Sequence, residues 1–190
     1  MKTITTRKLV ESAMLIAVGT VLSLLKVDMP MGGGLTLCSM LPLILVSHRY
    51  GWKWGVVTAF VYSVLQMLLG LDNVRYASNF VMAMGIILLD YIVAYTVIGL
   101  SALAEKFAGE GRKALVLGIA CTFVLRSLCH FITGAWIWDA LWPNEFGMAS
   151  VVYSAAYNGW YMGGELILTV LVAMLIYKPL GKYFRGEDLI

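Results

Sequence analysis

The stretch NFVMAMGIILLDYIVAYTVIGLSALA, residues 79–104, decides the class of fold. It runs for 26 residues with a single charged side chain, Asp90. A membrane-spanning helix needs about 20 predominantly apolar residues, and a helix buried in a soluble domain is rarely so long and so apolar. The stretch therefore predicts a transmembrane helix that carries one carboxylate.

The whole chain has the composition that such a helix leads us to expect. Of its 190 residues, 61% are hydrophobic and 13% are charged, against about 25% charged in a typical soluble domain. This composition excludes an ordinary soluble domain, a disordered chain and a nucleic-acid-binding module. We expect one membrane domain over residues 1–190 with six apolar segments. They lie at about 9–25, 35–47, 54–71, 79–104, 114–138 and 151–177.

The distribution of Lys and Arg predicts how these segments are oriented. The second segment is short and contains Pro42, so by length alone it suits a re-entrant segment as well as a span. If all six segments span and the N-terminus is cytoplasmic, 11 basic residues lie inside and 2 lie outside. If the second segment does not span, the count becomes 4 inside against 9 outside. The positive-inside rule thus favours an all-α bundle of six spans with both termini in the cytoplasm.

Motifs for enzymatic chemistry are absent from the sequence. It contains no GxxxxGK[ST], no HExxH and no GxSxG. His48 and His130 are the only histidines, and no Cys/His cluster has the spacing of metal ligands. We therefore expect no enzyme activity, no metal and no cofactor.

Ionisable residues inside the predicted spans indicate a binding site. A charge near the bilayer centre costs roughly 2.5–3.5 kcal/mol, so Asp90, Arg126 and Glu165 are expected to face the protein interior, together with His130. Their three charges sum to −1, which suits a cationic ligand. A buried Asp90–Arg126 ion pair that only fixes helix packing is the structural alternative.

Two helical stripes supply further groups for binding a flat ring. The fifth segment has a charge, an imidazole, a gap and an aromatic ring at intervals of four residues: Arg126, His130, Gly134 and Trp138. The sixth segment has a run of hydroxyl, amide and carboxylate groups: Tyr153, Tyr157, Asn158, Tyr161 and Glu165. Residues four apart share a helix face, and such groups suit a flat heteroaromatic ligand. Some of the aromatic residues are equally typical of the belt at a membrane interface.

Three stretches of the sequence resemble a known family of membrane proteins. They are LDYIVAYTVIGL at 89–100, RSLCHFITGAW at 126–136 and YSAAYNGWYMGGE at 153–165. With the chain length and the six segments, they resemble the thiamine-specific substrate-binding subunit, or S component, of energy-coupling factor (ECF) vitamin transporters. The resemblance implies a pocket near the outer face of the cell membrane, lined by helices 4, 5 and 6 and covered by loop 1. It also implies ATP-driven uptake with a transmembrane coupling subunit and two ATPase subunits.

The same resemblance implies roles for individual residues. It implies ligand binding for Asp90, Tyr91, Arg126, His130, Trp138, Tyr153, Asn158 and Glu165. Docking on the coupling subunit is implied for the small pair Ala13 and Ala17 in the first segment. The family's loop-1 tryptophan has no counterpart here, where Met29 and Met31 are the nearest apolar candidates.

Three other functions remain open at the level of sequence. The first is an S component for another heteroaromatic vitamin or a pyrimidine precursor. The second is a self-sufficient proton-coupled carrier, in which the intramembrane ionisable residues form a relay. The third is an assembly subunit whose polar residues only join helices.

Overall fold

The computed structural model describes residues 6–29, 31 and 33–189 as a helical bundle with one short β-hairpin. The long helices of this part of the chain are α1 (Thr6–Leu24), α2 (Leu41–Tyr50), α3 (Trp52–Leu69), α4 (Phe80–Ala108), α5 (Arg112–Leu141) and α6 (Ser150–Phe184). A short helix, Leu71–Arg75, follows α3, and a 3₁₀ turn, Glu187–Leu189, follows α6.

Four helices, α3, α4, α5 and α6, are long and apolar enough to cross a membrane. Large apolar side chains are exposed around the bundle, among them Phe60 on α3, Leu128 on α5 and Leu175 on α6. Exposed apolar surface on this scale indicates contact with lipid or another protein rather than water. Helix α1 has 19 residues, or about 28 Å at 1.5 Å per residue. The count of six spans and the orientation of the termini stay predictions.

The apolar segment predicted at 35–47 does not coincide with one helix. Its first residues belong to a strand and a turn, and α2 begins only at Leu41. Pro42 lies in the first turn of α2, where its missing N–H leaves no hydrogen bond unmade. Most of α2 is buried among the other helices, with Leu43 and Ile44 fully enclosed. Ten residues rise about 15 Å, so α2 is an inner helix that covers half of the hydrocarbon thickness.

The β-hairpin lies between α1 and α2 and packs against α6. Strand β1 (Lys26–Asp28) pairs antiparallel with β2 (Gly34–Thr36). Gly33 has φ +74° and lies so close to α6 that a Cβ there would be 2.5 Å from the ring of Tyr161. Only glycine combines this backbone conformation with this approach, so the hairpin is seated directly on α6.

Close helix packing fixes α4 against α2 and α3. A Cβ on Gly99 of α4 would lie 2.4 Å from the backbone of Gly55 in α3. The Ser47 hydroxyl of α2 donates to the Gly99 carbonyl at 2.7 Å and accepts from the Ala102 N–H at 3.0 Å. Gly55, Gly99 and the Ser47 hydroxyl thus allow the backbones of α3, α4 and α2 to pack closely.

Charged side chains join the chain ends at the opposite side of the bundle from the hairpin. The Arg49 side chain is fully buried, and it donates to Glu11 of α1 at 2.7 Å and to Asp188 at 2.6 Å. Its guanidinium also lies 3.6 Å from the centre of the Tyr183 ring. We call this end, where Arg7, Glu11, Arg49, Tyr183 and Asp188 meet, the terminal face.

Candidate functional site

A cavity of about 430 Å³ lies beneath the hairpin, between α4, α5 and α6. This volume lies within the range of small-molecule sites, about 300–1,000 Å³. Its lining consists of Met31, Gly33, Asn73, Asp90, Tyr91, Tyr95, His130, Gly134, Trp138, Asp139, Trp142, Tyr153, Tyr157 and Tyr161.

Two irregular helical segments bring their side chains to this cavity. Asp90 and Tyr91 belong to a π-helical stretch of α4, Ile86–Val93. Trp138 ends a second π-helical stretch, Gly134–Trp138, in α5. A π turn is rare and is found mostly at functional sites, because it changes the direction of side chains relative to a regular α-helix.

The Asp90 carboxylate is buried and accepts hydrogen bonds on both oxygens. Trp138 donates its indole N–H to Oδ2 at 2.7 Å. On Oδ1, the His130 Nδ1 lies at 2.9 Å and the Thr133 hydroxyl donates a further bond. Three donors compensate for the loss of water around a buried carboxylate and hold its position.

Stacked aromatic pairs form the walls of the cavity. The rings of Trp138 and Trp142 are 5.6 Å apart and nearly parallel, at 15°. Those of Tyr157 and Tyr161 are 6.1 Å apart at 14°. Flat parallel rings present broad apolar faces against which another flat ring stacks.

The Tyr91 ring is held from the short helix after α3. Its hydroxyl accepts a hydrogen bond from Asn73 Nδ2 at 2.7 Å and donates to the Gly70 carbonyl at 3.2 Å. These two bonds fix the ring at the cavity and use both functions of its hydroxyl.

The loop of the hairpin closes one side of the cavity. The Tyr153 hydroxyl of α6 donates to the Met31 carbonyl at 2.6 Å, and Gly33 lies on Tyr161. Met31, one of the two methionines named from the sequence, lines the cavity, whereas Met29 is not among its lining residues. Met31 and Gly33 of the hairpin therefore form one side of the cavity.

The charge of the lining favours a cation. Asp90 and Asp139 line the cavity, and the described lining residues include no Lys and no Arg. Two carboxylates in a largely apolar cleft focus a negative potential into it.

Comparison with known proteins gives the family. The profile of the family described as "Thiamine transporter protein (Thia_YuaJ)" matches residues 9–185. The chain belongs to this thiamine transporter family. It is 30% identical over 195 residues to the thiamine transporter ThiT of Bacillus subtilis (strain 168), covering 95% of each chain. This membership confirms the resemblance drawn from the sequence and the expectation of a transporter rather than an enzyme.

Solved structures share the fold. ThiT from Listeria monocytogenes is 21% identical with a TM-score of 0.73, covering 94% of this chain and 97% of that one. The S component of a bacterial ECF transporter is 20% identical with a TM-score of 0.59, covering 94% and 98%. The fold of this chain is thus similar to the folds of these two solved structures.

The structure brings together five of the eight residues predicted to bind a ligand. Asp90, Tyr91, His130, Trp138 and Tyr153 line the cavity of this thiamine transporter family member. Arg126, Asn158 and Glu165 are not among its lining residues. Their direct contact with a ligand stays a prediction, and their surroundings indicate a supporting position.

Arg126 and Glu165 form a buried network that reaches the hairpin. Arg126 Nη1 donates to Glu165 Oε2 at 2.9 Å, and the Thr36 hydroxyl of β2 donates to the other carboxylate oxygen. The Thr36 and Ser39 hydroxyl oxygens are 2.6 Å apart. The ion pair of Arg126 therefore forms with Glu165, and the Asp90–Arg126 pair considered from the sequence was wrong. The network fastens the hairpin to α5 and α6.

Two buried polar atoms near the cavity have no partner among the described residues. They are His130 Nε2 and Asn158 Oδ1. The Asn158 amide N–H donates to the Ser154 carbonyl at 3.0 Å, which orients this side chain beside Gly134 of the lining. An unpaired buried polar atom costs about 1–3 kcal/mol, so both atoms are suited to bonding a ligand or a water.

Several lining residues had weak or no signals in the sequence. Tyr95 follows Tyr91 by four residues, the spacing of one helix face. Asn73, Asp139 and Trp142 lie outside the predicted apolar segments, where no periodicity assigns a direction to a side chain. Only the folded chain brings these residues to α4 and α6.

Proposed function

We propose that this chain is the substrate-binding subunit of an ECF importer and that its cavity captures thiamine from the outer face of the cell membrane. The observation that carries the proposal is the Asp90 carboxylate, which three donors hold in an aromatic cavity whose described lining contains no Lys and no Arg. Thiamine joins a cationic thiazolium ring to an aminopyrimidine ring. A carboxylate offsets its charge, and aromatic walls stack against its two flat rings.

The proposed roles follow from position. Asp90 offsets the thiazolium charge, and Trp138 and Tyr153 provide stacking surface. His130 Nε2 bonds a polar atom of the ligand, because its Nδ1 is already occupied by Asp90. Asn158 Oδ1 accepts a hydrogen bond from the ligand or from a water, at a position beside Gly134.

Arg126 and Glu165 support the site rather than contact the ligand in this proposal. Their ion pair is buried, and Glu165 is fully enclosed. Because Glu165 also accepts from Thr36, the pair keeps the cover of the cavity in place. The residues considered for a proton relay are already hydrogen-bonded to one another. Arg126 bonds Glu165, and His130 bonds Asp90.

We also propose a single membrane domain over residues 1–190, with six spans and both termini in the cytoplasm. The end of the bundle that bears the terminal face also carries Arg112, Lys178, Lys182 and Arg185, and an excess of basic residues is what the positive-inside rule predicts for a cytoplasmic surface. The cavity lies at the opposite end of the bundle, and this position supports the proposed outer location of the cavity. A maleimide reagent that cannot cross the membrane should label a cysteine placed at Asp72 in intact cells, but not one placed at Lys178.

Helix α1 supplies the proposed contact with the coupling membrane subunit, which itself works with two ATPase subunits. Ala13 and Ala17 are exposed on α1, next to the exposed Met14 and Val18. Small residues on an exposed helix face allow another helix to approach closely. The double variant Ala13→Trp, Ala17→Trp should abolish cellular thiamine uptake and leave thiamine binding by the purified chain intact. Val124→Trp, at an exposed site on α5, is the matched control and should leave both unchanged.

A fluorescence titration tests the binding proposal. Thiamine should quench the tryptophan emission of the detergent-purified chain in a saturable manner at submicromolar protein. Trp138→Phe should remove most of this quenching. Trp136→Phe is the control, because Trp136 is exposed two residues away and does not line the cavity.

This titration and an uptake assay in liposomes distinguish the proposed function from its two alternatives. A response to a pyrimidine or another vitamin, with none to thiamine, would change the ligand and keep the S-component function. Uptake driven by a pH gradient through the purified chain alone, in liposomes without ATPase subunits, would instead identify a self-sufficient carrier.

A further inference from the structure

We propose that the terminal face carries a binding site for the headgroup of an anionic phospholipid. A second cavity, of about 350 Å³, lies there between the end of α6 and the start of α5. Four cationic side chains line it: Arg112, Lys178, Lys182 and Arg185. Tyr177, Pro179 and Gly181 complete the described lining, which contains no Asp and no Glu.

The described residues leave most of this positive charge without a carboxylate partner. In the part of the chain that the structure describes, Arg185 pairs with Glu187 at 2.5 Å. No carboxylate oxygen of that part lies within 4.0 Å of Arg112, Lys178 or Lys182. Like charges around one cavity repel, so the folded chain gains from an anion placed among them.

A buried aromatic ring organises the site. The Tyr177 ring lies 5.8 Å from the Arg112 guanidinium and 5.9 Å from that of Arg185, and Arg185 Nη1 donates to its hydroxyl at 2.8 Å. One ring that is only 8% exposed thus holds two guanidinium groups at the cavity. Guanidinium groups bind phosphate through paired hydrogen bonds. Lys178 and Lys182, one turn apart, add point charges on the same helix face.

The position of the cavity along α6 points to a lipid rather than to a soluble anion. Leu171 and Leu175, which precede Lys178 by two turns and one turn, are 58% and 73% exposed. Leu171, Leu175, Lys178 and Lys182 form one stripe of α6 along which exposed leucines give way to lysines, and we assign this change to the depth at which acyl chains give way to phosphates. Basic cavities between helices at this level are typical binding sites for lipid headgroups.

Native mass spectrometry of the detergent-purified chain tests the proposal with two lipids of equal chain length. Dioleoylphosphatidylglycerol should stay bound at collision energies that remove dioleoylphosphatidylcholine. The double variant Lys178→Gln, Lys182→Gln should reduce the bound fraction of the anionic lipid by about tenfold or more. Its control is Lys26→Gln, Arg75→Gln, which removes two exposed charges at the hairpin end and should change nothing.

Three results would overturn the proposal. One is equal retention of the two lipids by the wild-type chain, a measurement that needs no variant. Another is an equal loss of the anionic lipid in the control variant. The third is thermal stabilisation by inorganic phosphate that matches stabilisation by phosphatidylglycerol, which would assign the site to a soluble anion. Thiamine quenching, measured on the same samples, depends on the other cavity and reports separately on the proposed function.

Discussion

The indole N–H of Trp138 donates a 2.7 Å hydrogen bond to Asp90, and this bond joins the two π-helical segments of the ligand cavity. The segments belong to different helices, so the bond sets the distance between α4 and α5 where the cavity lies. The same carboxylate orients His130. Asp90 is thus both the charge in the cavity and the acceptor that positions two of its other side chains.

Replacing Asp90 with Asn should weaken thiamine binding by roughly tenfold to a hundredfold. The change keeps the size of the side chain and removes its charge, and hydrogen bonds to a charged group contribute about 1.5–3 kcal/mol. Both carboxylate oxygens of Asp90 accept hydrogen bonds. The side-chain NH₂ group of Asn would replace one of these acceptors and would therefore face a hydrogen-bond donor. Isothermal titration calorimetry in detergent measures the change.

The matched control for this variant is Asp72→Asn. Asp72 is 80% exposed on its side chain and pairs with Arg75 at 2.8 Å, so this variant should bind like the wild type. Wild-type affinity in Asp90→Asn would refute the assignment of the thiazolium charge to this carboxylate.

Removing the Thr36 hydroxyl should speed up the release of thiamine. Thr36→Val leaves one oxygen of the buried Glu165 carboxylate without this donor, and such a loss costs about 1–3 kcal/mol. The hairpin that covers the cavity is then held less firmly, and the dissociation rate should rise by about fivefold to tenfold. Stopped-flow fluorescence measures the rate.

Thr20→Val is the control, because it makes the same Thr-to-Val change at a position away from the hairpin contact. The Thr20 hydroxyl donates to the Ile16 carbonyl within its own helix, at 2.9 Å, and takes no part in the hairpin contact. An unchanged dissociation rate in Thr36→Val, or an equal rise in both variants, would show that this bond does not hold the cover.

Composition and spacing predicted the helical bundle because apolar length alone distinguishes a membrane helix. They also predicted the stripe that leads from His130 to Trp138, since residues four apart share a face whatever the fold. The sequence predicted that the second apolar segment is short, but not that α2 begins only at Leu41 and is enclosed by the other helices. Its apolar run around Pro42 looks the same whether lipid or protein surrounds it.

The partner of each buried charged side chain could not be predicted from the sequence. In a helical bundle Arg126 can pair with either Asp90 or Glu165. The rotation of the helices about their axes decides between these two partners. The fold pairs Arg126 with Glu165, whose carboxylate also accepts a hydrogen bond from Thr36 of the hairpin. Asn73 in the short helix after α3 and Trp142 directly after α5 reach the cavity for a similar reason, since long-range packing rather than periodicity directs them.

A methyl group at Gly99 should prevent the correct packing of α4. In Gly99→Ala the added Cβ would be 2.4 Å from the Gly55 backbone, and overlap with a neighbouring backbone is not relieved by side-chain rotation. We expect a large loss of monodisperse protein in fluorescence-detected size-exclusion chromatography. Gly159→Ala is the control, because nothing lies within 4 Å of its added Cβ. Normal yield in Gly99→Ala would mean that the helices separate at little cost.

Arg49→Met should destabilise the terminal face by about 1–3 kcal/mol, the range for charged hydrogen bonds to partly exposed partners. Arg49 is fully buried and bonds Glu11 and Asp188, which are 18% and 39% exposed on their side chains. Methionine keeps much of the volume and removes these bonds. The midpoint of thermal unfolding in detergent should fall by several degrees, whereas Arg75→Met, at an 80% exposed side chain, should change it little. Equal midpoints for the two variants would contradict a stabilising role of the Arg49 cluster.

Acid should remove the part of this stability that depends on Asp188. Hydrogen bonding to Arg49 holds the pKa of the Asp188 carboxyl, which lies beyond the predicted span 151–177, well below its ordinary value of 3.8. A carboxyl whose pKa is lower in the folded chain than in the unfolded chain stabilises the fold at every pH above the unfolded value. This contribution declines as the pH falls below about 3.8 toward the folded value. Asp188→Asn should therefore lower the midpoint of thermal unfolding at neutral pH, and its difference from the wild type should narrow as the pH falls below 4. A difference that stays constant from neutral pH to about pH 3 would show that the contribution of Asp188 does not depend on its charge.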